Sequence, residues 1–136
     1  MNRISGILAV ALLLLIPVTG CGSDGSSVLK KQIEATENYV SGMANAKSAD
    51  DVVTTIDKFT EDMKELLPEL LEFEKKYPGY REGKAYEELE ADVKKMEDVS
   101  QKMTEAMGNM MKYMMDPKVQ EAMTRMGEEM SKLEEE

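Results

Sequence analysis

The sequence predicts an all-α protein. The expected architecture is an antiparallel bundle of four helices, two long and central and two shorter and outer, following a cleaved signal segment and a short linker. Three observations predict it. From residue 28 onward apolar side chains recur in steps of three and four, and no segment reads as a strand. Helix punctuation interrupts the pattern at Ser48, at Pro78-Gly79 and at Asp116-Pro117. Acids stand four residues before bases at Glu72–Lys76, Glu90–Lys94, Asp98–Lys102, Glu121–Arg125 and Glu128–Lys132, the signature of solvated helix faces.

The N-terminus comes first. Arg3 is basic, and residues 6–18 form an apolar run of 13. A secretory signal has a core of ~7–15 residues, whereas a helix needs ~20 to cross the hydrocarbon region. Pro17 also disfavours a continuous spanning helix. The run ends in Val18-Thr19-Gly20-Cys21, an aliphatic residue, two small ones and the chain's single cysteine. This stretch resembles a bacterial lipoprotein lipobox. The resemblance implies that signal peptidase II cuts before Cys21 once its thiol carries a diacylglyceryl group, and that the new amine is open to acylation. It also implies an extracytoplasmic, lipid-anchored location. In a host with two membranes, Gly22 in place of Asp after the cysteine implies the periplasmic face of the outer membrane.

An uncleaved anchor with Cys21 as a free thiol is the bland alternative. A leftover cysteine in an exported chain calls for an explanation, however, and lipidation supplies one. Two or three acyl chains hold stably where a single chain is marginal. The expected organisation is residues 1–20 as signal peptide, 21–27 as lipidated cysteine and linker, and 28–136 as the bundle. The linker, Gly22-Ser23-Asp24-Gly25-Ser26-Ser27, spans about 14 Å as a flexible chain. The domain is therefore expected to sit close to its membrane.

The first helix is expected over residues 27–47, with Leu29, Ile33, Val40 and Met43 on one face. Ser48 then caps the second, and Asp51 three residues on gives a capping-box-like start. Val52, Ile56, Phe59, Met63, Leu66, Leu70, Phe73 and Tyr77 form an unbroken row along this helix. Pro68 is expected to kink it near Lys64, and Pro78-Gly79 to end it. The third helix is expected over residues 82–115, with Leu89, Val93, Met96, Met103, Met107, Met110 and Met114 inward. Asp116 as N-cap and Pro117 at the first helical position restart the chain. The fourth helix uses Val119, Met123, Met126, Met130 and Leu133.

At 1.5 Å per residue, helices two and three reach about 42–51 Å and the outer pair about 27–32 Å. Short connections make sequential helices antiparallel neighbours. Helices two and three are thus expected to form a hairpin whose tip, around Tyr77 and Tyr80, projects beyond a four-helix end. Near Met110 the apolar arc widens to roughly 200°, which calls for more than one packing partner there.

Removing residues 1–20 leaves 116 residues with 16 basic and 27 acidic side chains, a net charge of −11. That surface repels phosphate backbones and anionic headgroups, so no nucleic-acid partner is expected. The chain has no histidine. It therefore lacks the commonest general base, His-type zinc ligands and any nucleophile–histidine pair. A non-enzymatic protein without cofactor or metal is expected.

Two features remain as candidate sites. Ten of the twelve mature methionines follow residue 95: Met96, Met103, Met107, Met110, Met111, Met114, Met115, Met123, Met126 and Met130. A methionine-built core explains them most simply. An adaptable groove for a partner helix or apolar ligand is the second reading. A soft Cu(I) site is the third, weakened by the lack of imidazole and thiolate. Phe73, Tyr77, Tyr80 and Tyr86 gather within fourteen residues at the expected tip. They are candidates for contact with another envelope protein, or for packing that closes the hairpin. The small lipoproteins joined covalently to peptidoglycan end in lysine, whereas this chain ends Glu134-Glu135-Glu136. Past the lipobox, the mature part is similar to small helical lipoproteins.

Overall fold

The computed structural model describes residues 25–134, with side chains as far as Lys132. Cys21 and the segment 1–20 lie outside the described residues, as does the side chain of Leu133. Among the described residues the fold is all-helical: α1 (Gly25–Asn45), α2 (Ala49–Lys76), α3 (Glu90–Met110) and α4 (Pro117–Glu134), with a 3-10 turn at Glu87–Leu89. Helix α1 starts two residues earlier than expected, taking in part of the expected linker.

The start of α2 is capped from both sides. Ser48 Oγ accepts the Asp51 N–H at 3.1 Å, and the Asp51 carboxylate accepts the Lys47 N–H at 2.9 Å. Those bonds, the Lys47 N–H foremost, hold the Asp51 carboxyl below the usual carboxylate range. The helix runs unbroken through Pro68, which sits on the exposed face. At the start of α4, Asp116 Oδ1 accepts the Lys118 N–H at 2.9 Å, so the expected cap is in place.

Helix α3 is shorter than expected at both ends. Gly79 and Gly83 adopt φ of 82° and 88°, the left-handed region, so residues 77–86 turn instead of starting a helix. At the other end residues 111–115 continue as tight turns. There the Tyr113 N–H bonds Met110 O and the Asp116 N–H bonds Tyr113 O, each at 2.9 Å.

The largest departure is in the pairing. Helix α1 packs on α2 and α3, and α2 packs on α1 and α4. The expected α2–α3 hairpin is not formed. The thirteen residues 77–89 carry the chain across the end of α1 before α3 begins, so α3 lies along α1. Helices α1 and α2, not α2 and α3, are therefore the central pair.

Side-chain bonds fix the directions. Ser26 Oγ donates to Asp92 Oδ2 at 2.6 Å, and Asn109 Nδ2 donates to Met43 O at 2.8 Å. Ser26 to Met43 and Asp92 to Asn109 are both 17 residues, so α1 and α3 run parallel without stagger. Helices α2 and α4 are also parallel. Lys118 pairs with Asp50, Arg125 with Asp57 and Lys64 with Glu129. Their members on α2 lie seven residues apart, the repeat that keeps one helix edge facing a neighbour.

Two apolar clusters result. One joins Ile33, Val40 and Met43 of α1, Val52 and Ile56 of α2, Val99, Ala106 and Met110 of α3, and Val119 and Ala122 of α4. The second, at the other end, joins Val28, Leu29, Leu66, Phe73, Tyr77 and Leu89. No buried side-chain nitrogen or oxygen among the described residues lacks a hydrogen-bond partner.

Candidate functional site

The methionine-rich segment divides into an inner and an outer set. Met110 is only 2% exposed, and the Tyr39 hydroxyl donates to its sulfur at 3.8 Å. Met96, Met103, Met114, Met123 and Met126 are half-buried against the same cluster. Met107, Met111 and Met115 face outward, 38%, 65% and 84% exposed.

Met107 was expected in the core and is not there. Helix α3 turns Asp92, Val99, Ala106 and Met110 inward, and the residue after Ala106 is rotated about 100° away from that face. Val99 and Ala106, 1% and 2% exposed, are the residues of α3 that face the core, and that rotation leaves Met107 outside it. Four residues separate Met107 from Met111, and four more separate Met111 from Met115. Met111 follows Met107 by one helical turn, whereas Met115 lies at the far side of the tight turns of 111–115. The three are exposed thioethers in a row along the chain at the end of α3 and not one helix face.

Asn109 fixes the segment that carries this row. Its Nδ2 donates to Met43 O at 2.8 Å and to Ala46 O at 3.0 Å, while its Oδ1 accepts from Lys112 Nζ at 3.1 Å. The last carbonyls of a helix have no partner within it. Asn109 supplies one to α1 and so locks the end of α3 against the end of α1. Asp92 makes the matching contact at the start of α1. Sequence reasoning missed both residues. Only half of the signal was available: Asp92 has a polar side chain, Ser26, to meet on α1, whereas the partner of Asn109 is the backbone carbonyl of Met43, which leaves no mark in the sequence.

The aromatic candidates are all in one place, but not on a projection. The Phe73 and Tyr77 rings lie tilted against each other with centroids 4.8 Å apart, Tyr80 meets Phe73 edge-on at 5.0 Å, and Tyr86 meets Tyr77 edge-on at 4.9 Å. The Tyr86 hydroxyl donates to Pro78 O at 2.7 Å, and Arg81 pairs with Glu74. Tyr77, expected to be accessible, is 4% exposed, and Phe73 is equally buried. Tyr80 and Tyr86 are half-buried. Burial pushes the Tyr80 phenol up from its ordinary value, and the charge of Asp92 adds to the effect.

The cause of this burial is the first turn of α1. Gly25 has no side chain, and a Cβ there would collide with the Tyr77 ring. The start of α1 thus closes over the end expected to project. Tyr77 is closed off by the start of α1, and Phe73, equally buried, shows only an edge of its ring beside Tyr80.

Among the described residues no helix is long and apolar enough to cross a membrane. Nor does any group of three or more Cys, Asp or Glu side chains among them stand where it could hold a metal ion. The arrangement offers apolar, polarisable contact surface at one end and a closed aromatic cluster at the other. No protein-family model, no curated protein and no solved structure matches the chain.

Proposed function

We propose that this chain is a non-enzymatic, lipid-anchored interaction protein of the bacterial envelope. It is tethered through Cys21 and engages another envelope protein through Met107, Met111 and Met115. The observation that carries the reading is the exposure of that row. Large apolar side chains set together on a surface mark contact sites, and flexible thioethers adapt to varied partner shapes. Position supports it too. Asn109 sets the row beside the last turn of α1, while Cys21 precedes Gly25 by four residues. The 21 residues of α1 put about 30 Å between the two ends. The row is therefore carried away from the tether, toward whatever lies outside the anchoring membrane.

Photo-crosslinking in the host tests the contact. A photoreactive residue at position 111 is expected to give one defined adduct, lost when Met107 and Met115 become serine. The same probe at Glu128 is expected to give none. Equal, scattered adducts from both positions would remove the assignment. The tether is tested separately: Cys21→Ala is expected to abolish lipid labelling and release the protein or leave it unprocessed.

The same exposed thioethers favour a second reading, a site for an apolar ligand or for Cu(I), a soft ion suited to sulfur donors. Native mass spectrometry showing a stoichiometric copper adduct, lost with the three methionines, would put that reading first.

A further inference from the structure

Helix α2 outruns its partner α4. The Lys118–Asp50, Arg125–Asp57 and Lys64–Glu129 pairs set their register, so Glu134, where α4 ends, falls level with residues 66–69, while α2 continues to Lys76. Beside the last turns of α4 and along the stretch of α2 that outruns it, a trough of about 220 Å³ opens, with Met63, Leu67, Leu70, Phe73, Tyr80 and Met130 as its apolar lining. Its polar residues are Gln32 and the Arg81–Glu74 ion pair. A trough lined mainly by apolar side chains, with few polar groups, fits an alkyl chain better than a polar metabolite.

The position of the trough points to the source of such a chain. Gly25 and Gln32 are seven residues apart on α1, within about 20° of the same face and about 10 Å along the axis. The Tyr77 ring against Gly25 lies tilted against Phe73, a wall of the trough, with centroids 4.8 Å apart. Cys21 precedes Gly25 by four residues, which reach at most about 14 Å. Charge narrows the choice further. A free fatty acid brings a carboxylate to a strongly acidic protein, whereas a chain attached through Cys21 brings no charge with it. We infer that the trough takes one alkyl chain, and that its occupant is an acyl chain of the lipid on Cys21 when the protein is out of the bilayer. The occupant, though not the trough, rests on the lipobox reading above.

Two arms of one experiment keep those failures apart. The first uses the chain from Gly22 onward, which holds all four helices and both apolar clusters, and titrates it with 1-hexanol, 1-octanol and 1-decanol. The methyl resonances of Met63 and Met130 are expected to shift saturably, with affinity rising about fourfold per methylene. Leu70→Trp, which fills the trough, is expected to abolish the shifts. Leu71→Trp, on the exposed side of α2, is expected to leave them, with helical circular dichroism checked in both. Absence of saturable shifts, or shifts unchanged in Leu70→Trp, would overturn the trough whatever Cys21 carries. The second arm takes the processed wild-type chain, in water, from cells grown on a diazirine-bearing fatty acid. Irradiation is expected to link the Cys21 lipid to peptides containing Met63, Leu67 or Met130. Trough peptides linked only to free phospholipid, or not linked, would overturn the occupant. A wild-type mass with no lipid on Cys21 would overturn both the lipobox reading and the occupant, and the alcohol titration would still decide the trough.

Discussion

Two parallel helix pairs hold this bundle together by different means. Helix α3 is fastened to α1 by polar side chains at each end of a close apolar contact: Asp92 on Ser26 and Asn109 on the last carbonyls of α1. Helix α4 is fastened to α2 by a surface row of ion pairs, Lys118–Asp50, Arg125–Asp57 and Lys64–Glu129. The first device sits partly out of water, so losing one partner strands the other. The second sits in water, where solvent takes over whatever is lost. The two seams are therefore expected to fail at different rates under the same kind of substitution.

The largest effect is expected in the apolar core beside the Asn109 end of the α1–α3 seam. Met110→Ala removes a side chain that is 2% exposed and is expected to cost about 2–5 kcal/mol in denaturant unfolding. Its neighbour gives the internal control. Met111→Ala removes a mostly exposed side chain and is expected to stay within about 0.5 kcal/mol of wild type. Similar losses for the two would mean that the outer row is covered in solution, by a second copy or by repacking of residues 111–115.

Asn109→Ala comes next. It leaves Met43 O and Ala46 O without their side-chain donor at the end of α1, and the expected cost is about 1–3 kcal/mol. Asn109→Asp is expected to be worse than alanine. It puts a negative charge where the α1 macrodipole is already negative. Amide exchange in the last turn of α1 should accelerate in both variants. A rise confined to α3 would show that Asn109 serves its own helix only.

The α2–α4 row predicts less. Arg125→Ala loses bonds to Asp57 and Glu121 at the surface, and its effect on the unfolding midpoint is expected to be a fraction of that of Asn109→Ala. About 1 M salt should erase the difference from wild type, since the Debye length falls to about 3 Å. A salt-independent loss as large as that of Asn109 would place these pairs in a much drier setting than their exposure indicates.

Much of this was legible from the sequence, and the misses have physical causes. The row from Val52 to Tyr77 was readable because large side chains alternate four and three apart for the whole length of α2. The caps at Ser48 and Asp116 were readable because each is a local bond within three residues. Helix α3 misled because its buried face is built on Val99 and Ala106. These are small side chains, while the more conspicuous methionines sit beside that face. The aromatic end misled for a related reason. Gly25-Ser26-Ser27 has the composition of a linker, yet Gly25 is what makes room for the Tyr77 ring and Ser26 is what meets Asp92. A residue valued for having no side chain leaves no hydrophobic signal. With that end open in the sequence reading and closed in the fold, Tyr77 changed from candidate contact to core.

The smallest predicted effect separates the seams by pH. Two exposed carboxylates are held below the usual range: Asp51 by the Lys47 N–H and then the Ser48 hydroxyl, and Glu129 by Lys64 and then Lys132. A carboxylate whose folded value is lowered binds protons more weakly folded than unfolded. Its contribution to stability is therefore complete above the unfolded value and is lost as pH falls through the folded one. Both groups belong to α2 and its contact with α4, whereas the far end of the α1–α3 seam, beyond the Lys95–Glu37 ion pair, is held by the uncharged amide of Asn109. Acidification through the carboxylate range is thus expected to loosen the start of α2 and the α2–α4 edge before the end of α1. Amide exchange near Asp51 and Glu129 should rise first, with the turn held by Asn109 protected to lower pH. Asp51→Asn with Glu129→Gln should lower stability slightly at neutral pH and flatten its fall on acidification. If that double variant keeps the wild-type acid profile, these two carboxylates do not set it.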